Sequence, residues 1–295
     1  ADLALLRRAA DLSRAEGEHA DALRQALAAG LPYAAAVQQA VSAADPEAGA
    51  LLATPNNTLA VEYLCALDTL GSPIQPLAIL RAGGAHDSDR PADGLPSASY
   101  LRGLIAQGDV DACRPLMPEA SFAVLAQVIQ QGAAPVTRSV VDQAILAHLR
   151  RLSPADLARY CGSDGLENRL WAAIRDNTSV AAVCTAAQTR RYPLARVRRA
   201  LMRTWLDLPT DIPPTAEYVR VLAVGARGRE VLRRMKDTCT LPVIVKPVTE
   251  RALPDVLQPV LAHDALADDL YALAYPDPML RVGGDHFRKT PFCLP

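Results

Sequence analysis

Apolar residues return at helical spacing along most of the chain. Leu5, Ala9 and Leu12, then Ala20, Leu23 and Leu27, mark one or two helices over residues 3–29, and Pro32 through Ala44 gives another. In "TPNNTLAVEYL" (54–64) two asparagines stand directly before a run in which Leu59, Tyr63 and Ala66 or Leu67 share a helical face. From Asp109 onward "SFAVLAQVIQQG", "SVVDQAILAHLRRL", "LENRLWAAIRD", "SVAAVCTAAQT" and "ARVRRALMRTWLDL" continue the helical pattern. Three short apolar runs break it and read as strands: "IQPLAIL" (74–80), "YVRVLAV" (218–224) and "LPVIVKP" (241–247). The polar, Gly/Pro-rich "AHDSDRPADG" after the first of these reads as a loop.

At 295 residues with half of them apolar and a formal net charge of -1, the chain has the composition of a globular protein with room for two domains. No apolar run reaches membrane-spanning length. Six scattered cysteines form no C-x-x-C pair and no metal-ligand spacing, as expected of reduced thiols in a cytoplasmic protein. His86-Asp87, His263-Asp264 and Asp285-His286 look like metal half-sites, but a lone His-Asp neighbour pair does not hold an ion, and no metal is expected. Glu167 and Arg169 read as an ion pair in a helix-starting turn.

Residues 54–107 alternate helix mouth, helix, strand, loop, helix mouth, helix, which is the second half of a parallel αβα layer. A helix mouth exposes unpaired N–H groups and the positive end of the dipole. One asparagine suffices as an N-cap, so the pair Asn56 and Asn57 is either a cap alone or a cap plus an anion contact. "PSASYLR" offers the Ser97 and Ser99 hydroxyls with Arg102 one turn later. That set suits a polyphosphate, and equally a serine cap beside a surface arginine. Arg81 at the end of the first apolar run contacts either a nucleotide or a loop aspartate such as Asp87 or Asp89.

Between Thr189 and Arg203 stand Arg190, Arg191, Arg196, Arg198, Arg199 and Arg203 with no acidic residue, and Tyr192 lies among them. The pattern suits an RNA-backbone surface with one stacking ring, against the alternative of a solvated helix face. With Pro193 opening the helix, Arg196, Arg199 and Arg203 share a face at i, i+3 and i+7, flanked by Arg190 and Arg191 from the preceding loop. Arg233 and Arg234 lie outside the stripe and are expected to contribute less.

The order P-N-N before a helix, I-x-P before a strand, Arg at its end and S-A-S-x-x-R opening the next helix resembles the bacterial tRNA(Met) cytidine acetate ligase family of the nucleotidylyltransferase superfamily. "GSDGLENRL" (162–170), "TRRYPLARVRRAL" (189–201), "EYVRVLAVGARG" (217–228), "LPVIVKP" and "GGDHF" (283–287) extend the resemblance in order over essentially the whole chain. It implies a mainly α fold with a small parallel β remnant, the second half of a nucleotidylyltransferase-type Rossmann domain, over residues 1–107, followed by an α-rich tRNA-binding domain over 108–295. It implies ATP-dependent activation of acetate to acetyl-adenylate and acetylation of the wobble cytidine of elongator tRNA(Met), with Mg2+ accompanying ATP. The implied ATP-binding residues are Asn57, with Asn56 as the cap, Arg81, Ser97, Ser99 and Arg102. Arg190, Arg191, Tyr192, Arg196, Arg199 and Arg203 are the implied tRNA contacts. The family's first strand and its H-x-G-H motif lie upstream of the matching segment, and none of the five histidines here has that neighbourhood. The chain alone is therefore expected to lack phosphate-activating histidines. Two rival readings are a non-catalytic RNA-binding helical module and a nucleotidylyltransferase that acts on a small metabolite.

Overall fold

The computed structural model describes residues 2–14, 18–80, 95–212, 217–245 and 257–294. Compactness divides the chain into two units, Ala1–Glu119 and Ala120–Pro295. The first contains α1 (Leu3–Arg14), α2 (Glu18–Ala28), α3 (Tyr33–Ala44), α4 (Pro46–Leu51), α5 (Pro55–Thr69), α6 (Ala98–Ala106) and a 3-10 turn over Asp111–Leu116. The second begins in the first turn of α7 (Glu119–Gln130) and continues with α8 (Asp142–Leu149), α9 (Pro154–Cys161), α10 (Leu166–Asp176), α11 (Val180–Ala187) and α12 (Leu194–Trp205). Its last part interleaves β1 (Val219–Arg220), β2 (Ala223–Val224), α13 (Ala226–Thr238), β3 (Val243–Ile244), α14 (Gln258–Ala272), α15 (Asp285–Arg288) and β4 (Phe292–Cys293).

Local chemistry starts these helices. Asp45 accepts from the Glu47 and Ala48 N–H groups with Pro46 at the first helical position. Ser153 and Asp156 form a reciprocal capping box at α9, and Ser179 caps α11 through Ala182 N–H. The Ala48 N–H, followed by burial and the Arg8 charge, sets the balance that leaves the Asp45 carboxyl below its ordinary range. The Ser153 backbone and hydroxyl donors do the same for Asp156.

The fold is mainly α with short parallel strand pairs. β1 pairs β3 in the register Val219↔Val243, and β2 pairs β4 in the register Ala223↔Phe292. The apolar runs at 218–224 and 241–247 thus hold the strands expected of them. The run Ile74–Leu80 does not. It lies extended without a ladder partner among the described residues, and Ile74, Leu77, Ile79 and Leu80 are exposed, Leu77 to 86%. A strand exists only where a neighbour accepts from its N–H groups and donates to its C=O groups. α5 also turns differently from the sequence pattern. It buries Val61 and Leu64, while Leu59 and Tyr63 face outward.

The larger core belongs to the second unit, where Ile145, Leu149, Leu157, Leu166, Leu170 and Ile174 are sealed beneath α11 and α12. The first unit packs Leu6, Ala9 and Ala10 of α1 against Val41, Leu51, Val61 and Leu64. Alanine occupies many of its contact positions, which lets helices approach closely and buries less apolar area per residue.

Candidate functional site

In the first unit Thr54, not Asn56, occupies the N-cap of α5, and its side chain makes no capping bond. With Pro55 opening the helix, Asn56 and Asn57 fall inside the first turn. Asn56 is exposed, whereas Asn57 donates through Nδ2 to the Leu51 carbonyl at 3.1 Å. The cap expected of Asn56 is therefore corrected, because Pro55 at the first helical position sets the helix start two residues earlier. Asn57 serves as a strap from α5 to the end of α4.

Ser97 is the N-cap of α6. Its Oγ accepts from Tyr100 N–H at 3.0 Å, and the residue is only 3% exposed. Ser99 and Arg102 are exposed on the first turns of the same helix. Ser97, Ser99 and Arg102 thus occupy the cap and first two turns of α6. Arg81, Asp87 and Asp89 lie outside the described residues.

The second unit assembles two quoted motifs into one structure. In "TRRY" the Thr189 N–H donates to the Tyr192 carbonyl at 3.0 Å, and Tyr192 N–H donates to Thr189 Oγ1 at 3.0 Å. This closes a four-residue turn whose central residues, Arg190 and Arg191, project into solvent. Tyr192 itself is turned inward, 7% exposed, and its hydroxyl donates to the Asp164 carbonyl at 2.7 Å. A ring held there is not presented for stacking on a base, which corrects the expectation for that residue. Its neighbour across the motif must be small. Gly165 has φ +102, and a Cβ on it would lie 3.0 Å from the Tyr192 hydroxyl.

Pro193 caps α12 and the helix buries Val197, Ala200, Leu201 and Thr204. Arg196, Arg199 and Arg203 run along the edge of that buried face. They are not equivalent. Arg196 donates to Asp164 Oδ2 at 2.9 Å, and Arg203 donates at 3.4 Å to the Pro209 carbonyl. Arg190, Arg191, Arg198 and Arg199 are exposed, with no carboxylate in ion-pair reach among the described residues. Arg191 and Arg196 sit 5.4 and 5.3 Å from the Tyr192 ring centre, so the inward ring still braces two cations. Asp164, which the sequence did not single out, is the organiser of this motif. Its only sequence signal is the glycine on its C-terminal side.

Glu167 and Arg169 do not pair. Glu167 accepts from Gly165 N–H at 2.9 Å and closes the mouth of α10. Arg169 donates to the Ala187 and Ala186 carbonyls at 2.8 and 3.0 Å, where a cation meets the negative end of α11.

A cavity of about 510 Å3 opens near β1, α14 and α15, lined in part by Tyr218, Arg220, Asp264, Asp268, Tyr271 and His286. His286 is buried and its partner is Asp268, not the adjacent Asp285: Nδ1 lies 2.7 Å from Asp268 Oδ2. Arg220 Nη1 meets Nε2 at 2.7 Å, and Nη2 donates to the His286 carbonyl at 2.6 Å. A guanidinium only donates, so Nε2 is the acceptor and the ring proton sits on Nδ1. Tyr218 donates its hydroxyl to Asp264, and burial followed by that carboxylate drives its ionisation well above the ordinary phenol range. These pairs satisfy one another and brace β1 against α14. Among the described residues no group of three His, Cys, Asp or Glu side chains is arranged to hold a metal.

Comparison with known proteins places this geometry. The model of the HIGH Nucleotidyl Transferase family matches residues 1–283. The chain is 29% identical over 245 residues to a tRNA(Met) cytidine acetate ligase of Halothermothrix orenii, covering 79% of this chain and 58% of that protein. It is 27% identical over 283 residues to the enzyme of the same name from Acetivibrio thermocellus, covering 91% of this chain and 68% of that protein. The chain thus spans under three fifths of the Halothermothrix orenii relative's length. Its fold matches the crystal structure of Thermotoga maritima TmcAL in the apo form, with a TM-score of 0.90 at 23% identity over 99% of this chain and 74% of that one. The form of that protein bound with alpha-thio ATP matches with a TM-score of 0.88. With its family model spanning nearly the whole sequence, the chain belongs to the HIGH nucleotidyl transferase family.

Proposed function

We propose that the chain serves a tRNA(Met) cytidine acetate ligase. An acetate oxygen attacks the α-phosphorus of ATP, the bond to the β-phosphate bridging oxygen breaks, and pyrophosphate leaves. The N4 amine of the wobble cytidine of elongator tRNA(Met) then attacks the acetyl carbonyl carbon, loses a proton, and AMP departs with the shared oxygen. The chain's share in the first step is to bind and orient the nucleotide: the α6 mouth with Ser97 and Ser99 faces phosphate oxygens, Arg102 supplies charge, and Asn57, beside Asn56, lies along the nucleotide. Arg81 joins this set, and Mg2+ accompanies ATP rather than residing in a protein cage. The division of labour follows residues 1–107 for the nucleotide and 108–295 for tRNA, in the cytoplasm. No helix among the described residues is long and apolar enough to cross a membrane.

The observation that carries the RNA half is the cationic turn and helix from Arg190 to Arg203, where five of the six guanidinium groups lack a carboxylate partner among the described residues. Arg190, Arg191 and Arg199 take sugar-phosphate oxygens, and Arg196 and Arg203 support them from tethered positions. Each phosphate contact adds about 0.7 to 0.9 to the salt slope of binding. Arg196→Ala with Arg199→Ala is expected to flatten the slope for tRNA(Met) by roughly one unit, through loss of the Arg199 contact. An unchanged slope rejects the ridge and favours a nucleotidylyltransferase of a small metabolite. A non-catalytic RNA-binding module is the second reading, which the same cations between Arg190 and Arg199 without a carboxylate partner would serve.

A further inference from the structure

α13 bridges β2 and β3 and buries none of its 13 residues. α13 joins β2 of one strand pair to β3 of the other, and a helix of a folded domain ordinarily buries an apolar stripe against its neighbours. Here only Gly228, Leu232 and Met235 are partly covered, a seam too narrow to account for the helix. The rest of the surface carries Arg227, Arg229, Arg233, Arg234 and Lys236 against Glu230 and Asp237, and all seven are exposed.

Arg229, Arg233 and Lys236 stand at i, i+4 and i+7, so they share one face and form a cationic rail about 10 Å long. Among the described residues none of the three reaches a carboxylate within ion-pair distance, although Glu230 and Asp237 lie on the same helix. Like charges at this spacing destabilise a helix, and a helix polar nearly all round normally relies on opposite-charge pairs, of which α13 forms none within ion-pair distance among the described residues. A polyanion laid along the rail would relieve that repulsion. The partner chemistry is further narrowed by the apolar side. A helix that lies in a membrane surface needs a broad apolar face with large side chains, whereas Leu232 and Met235 are already partly covered and Val231 is the one large apolar side chain left exposed.

We propose that the Arg229–Arg233–Lys236 face of α13 is a second RNA-backbone contact, separate from the α12 ridge. It rests on the reading of the protein as one that binds tRNA. It also reverses the ranking drawn from sequence, which set Arg233 and Arg234 aside: the α12 ridge spends two of its cations on Asp164 and Pro209, and the α13 rail spends none on the described residues.

The test is a salt series of binding to elongator tRNA(Met) with the intact protein, comparing wild type, R229Q/R233Q/K236Q, the charge-keeping R229K/R233K and R190Q/R191Q/R199Q. The glutamine variant of α13 is expected to flatten the slope by about two units and the lysine variant to keep it. If the α12 variant flattens the slope and the α13 variant does not, the rail is a solvated face and the proposal falls while the tRNA reading stands. If neither changes the slope, the tRNA reading itself falls. Loss of binding to phosphatidylserine vesicles with an unchanged tRNA slope overturns the proposal in favour of a membrane contact. Should the glutamine variant misfold, amide exchange of wild-type α13 decides: protection on adding tRNA supports the contact, and its absence overturns it.

Discussion

The two units are built from similar helices and reach different degrees of closure. In the second, α8 to α12 place Ile145, Leu149, Leu157, Leu170, Ile174 and Leu201 against one another with almost no exposed area. In the first, Leu59, Tyr63, Leu70, Ile74, Leu77, Ile79 and Leu80 remain exposed beside a core rich in alanine. The difference teaches that helices satisfy their backbones internally and need only a facing apolar stripe, whereas an extended apolar run needs a hydrogen-bonding neighbour as well. A helical unit can therefore close on itself, and a run such as Ile74–Leu80 cannot.

The comparison breaks most directly on paired truncations. Leu170→Ala in the second unit is expected to cost about 2–5 kcal/mol of that unit's stability, by removing a side chain with no exposed surface. Leu77→Ala is expected to fall within about 0.5 kcal/mol of wild type. Urea unfolding followed by a probe in each unit measures both, and a large loss at Leu77 would mean that the extended run is packed in solution.

Helix starts sharpen the contrast at smaller scale. Ser153→Ala removes a capping box and is expected to cost about 1 kcal/mol, while Thr54→Ala, which loses no capping bond, is expected to cost a few tenths. Equal losses in thermal unfolding would contradict the cap geometry.

Acid is expected to treat the units alike, with the smallest effect. The Asp45 and Asp156 carboxyls are held below their ordinary value of 3.8, so their contribution is present above that value and is lost as pH falls through the lower folded values. Asp45→Asn and Asp156→Asn keep a capping oxygen and remove the charge change. The double variant should therefore show a shallower loss of stability below about pH 4 than wild type in an acid titration.

These contrasts also mark what the sequence could reveal. α12 was legible because Val197, Ala200, Leu201 and Thr204 recur at helical spacing and the intervening arginines can only face outward or along the edge. β1, β2 and β3 were legible from short β-branched runs. The outward turn of Leu59 and Tyr63 was not, since spacing gives a face without saying which of two apolar faces finds a partner. The inward Tyr192 depends on Asp164, 28 residues earlier, and the His286 partner is Asp268 rather than its neighbour Asp285. Such pairs are made by tertiary packing, and nothing in the local pattern announces them. The α6 cluster was legible as a helix mouth, and the sequence left open the choice between cap and phosphate site because Ser97 Oγ can accept from Tyr100 N–H in either case.

The central claim is that this chain serves acetate transfer to tRNA, and isotope incorporation tests it most directly. The full-length gene product is incubated with labelled acetate, ATP, Mg2+ and elongator tRNA(Met), and the wobble nucleoside is identified by mass spectrometry. The account predicts label in N4-acetylcytidine that depends on both ATP and tRNA and falls at least tenfold in Arg102→Ala, while tRNA binding by that variant is retained. Tight tRNA binding with no incorporation and no acetate-dependent release of pyrophosphate would contradict it and identify an RNA-binding module.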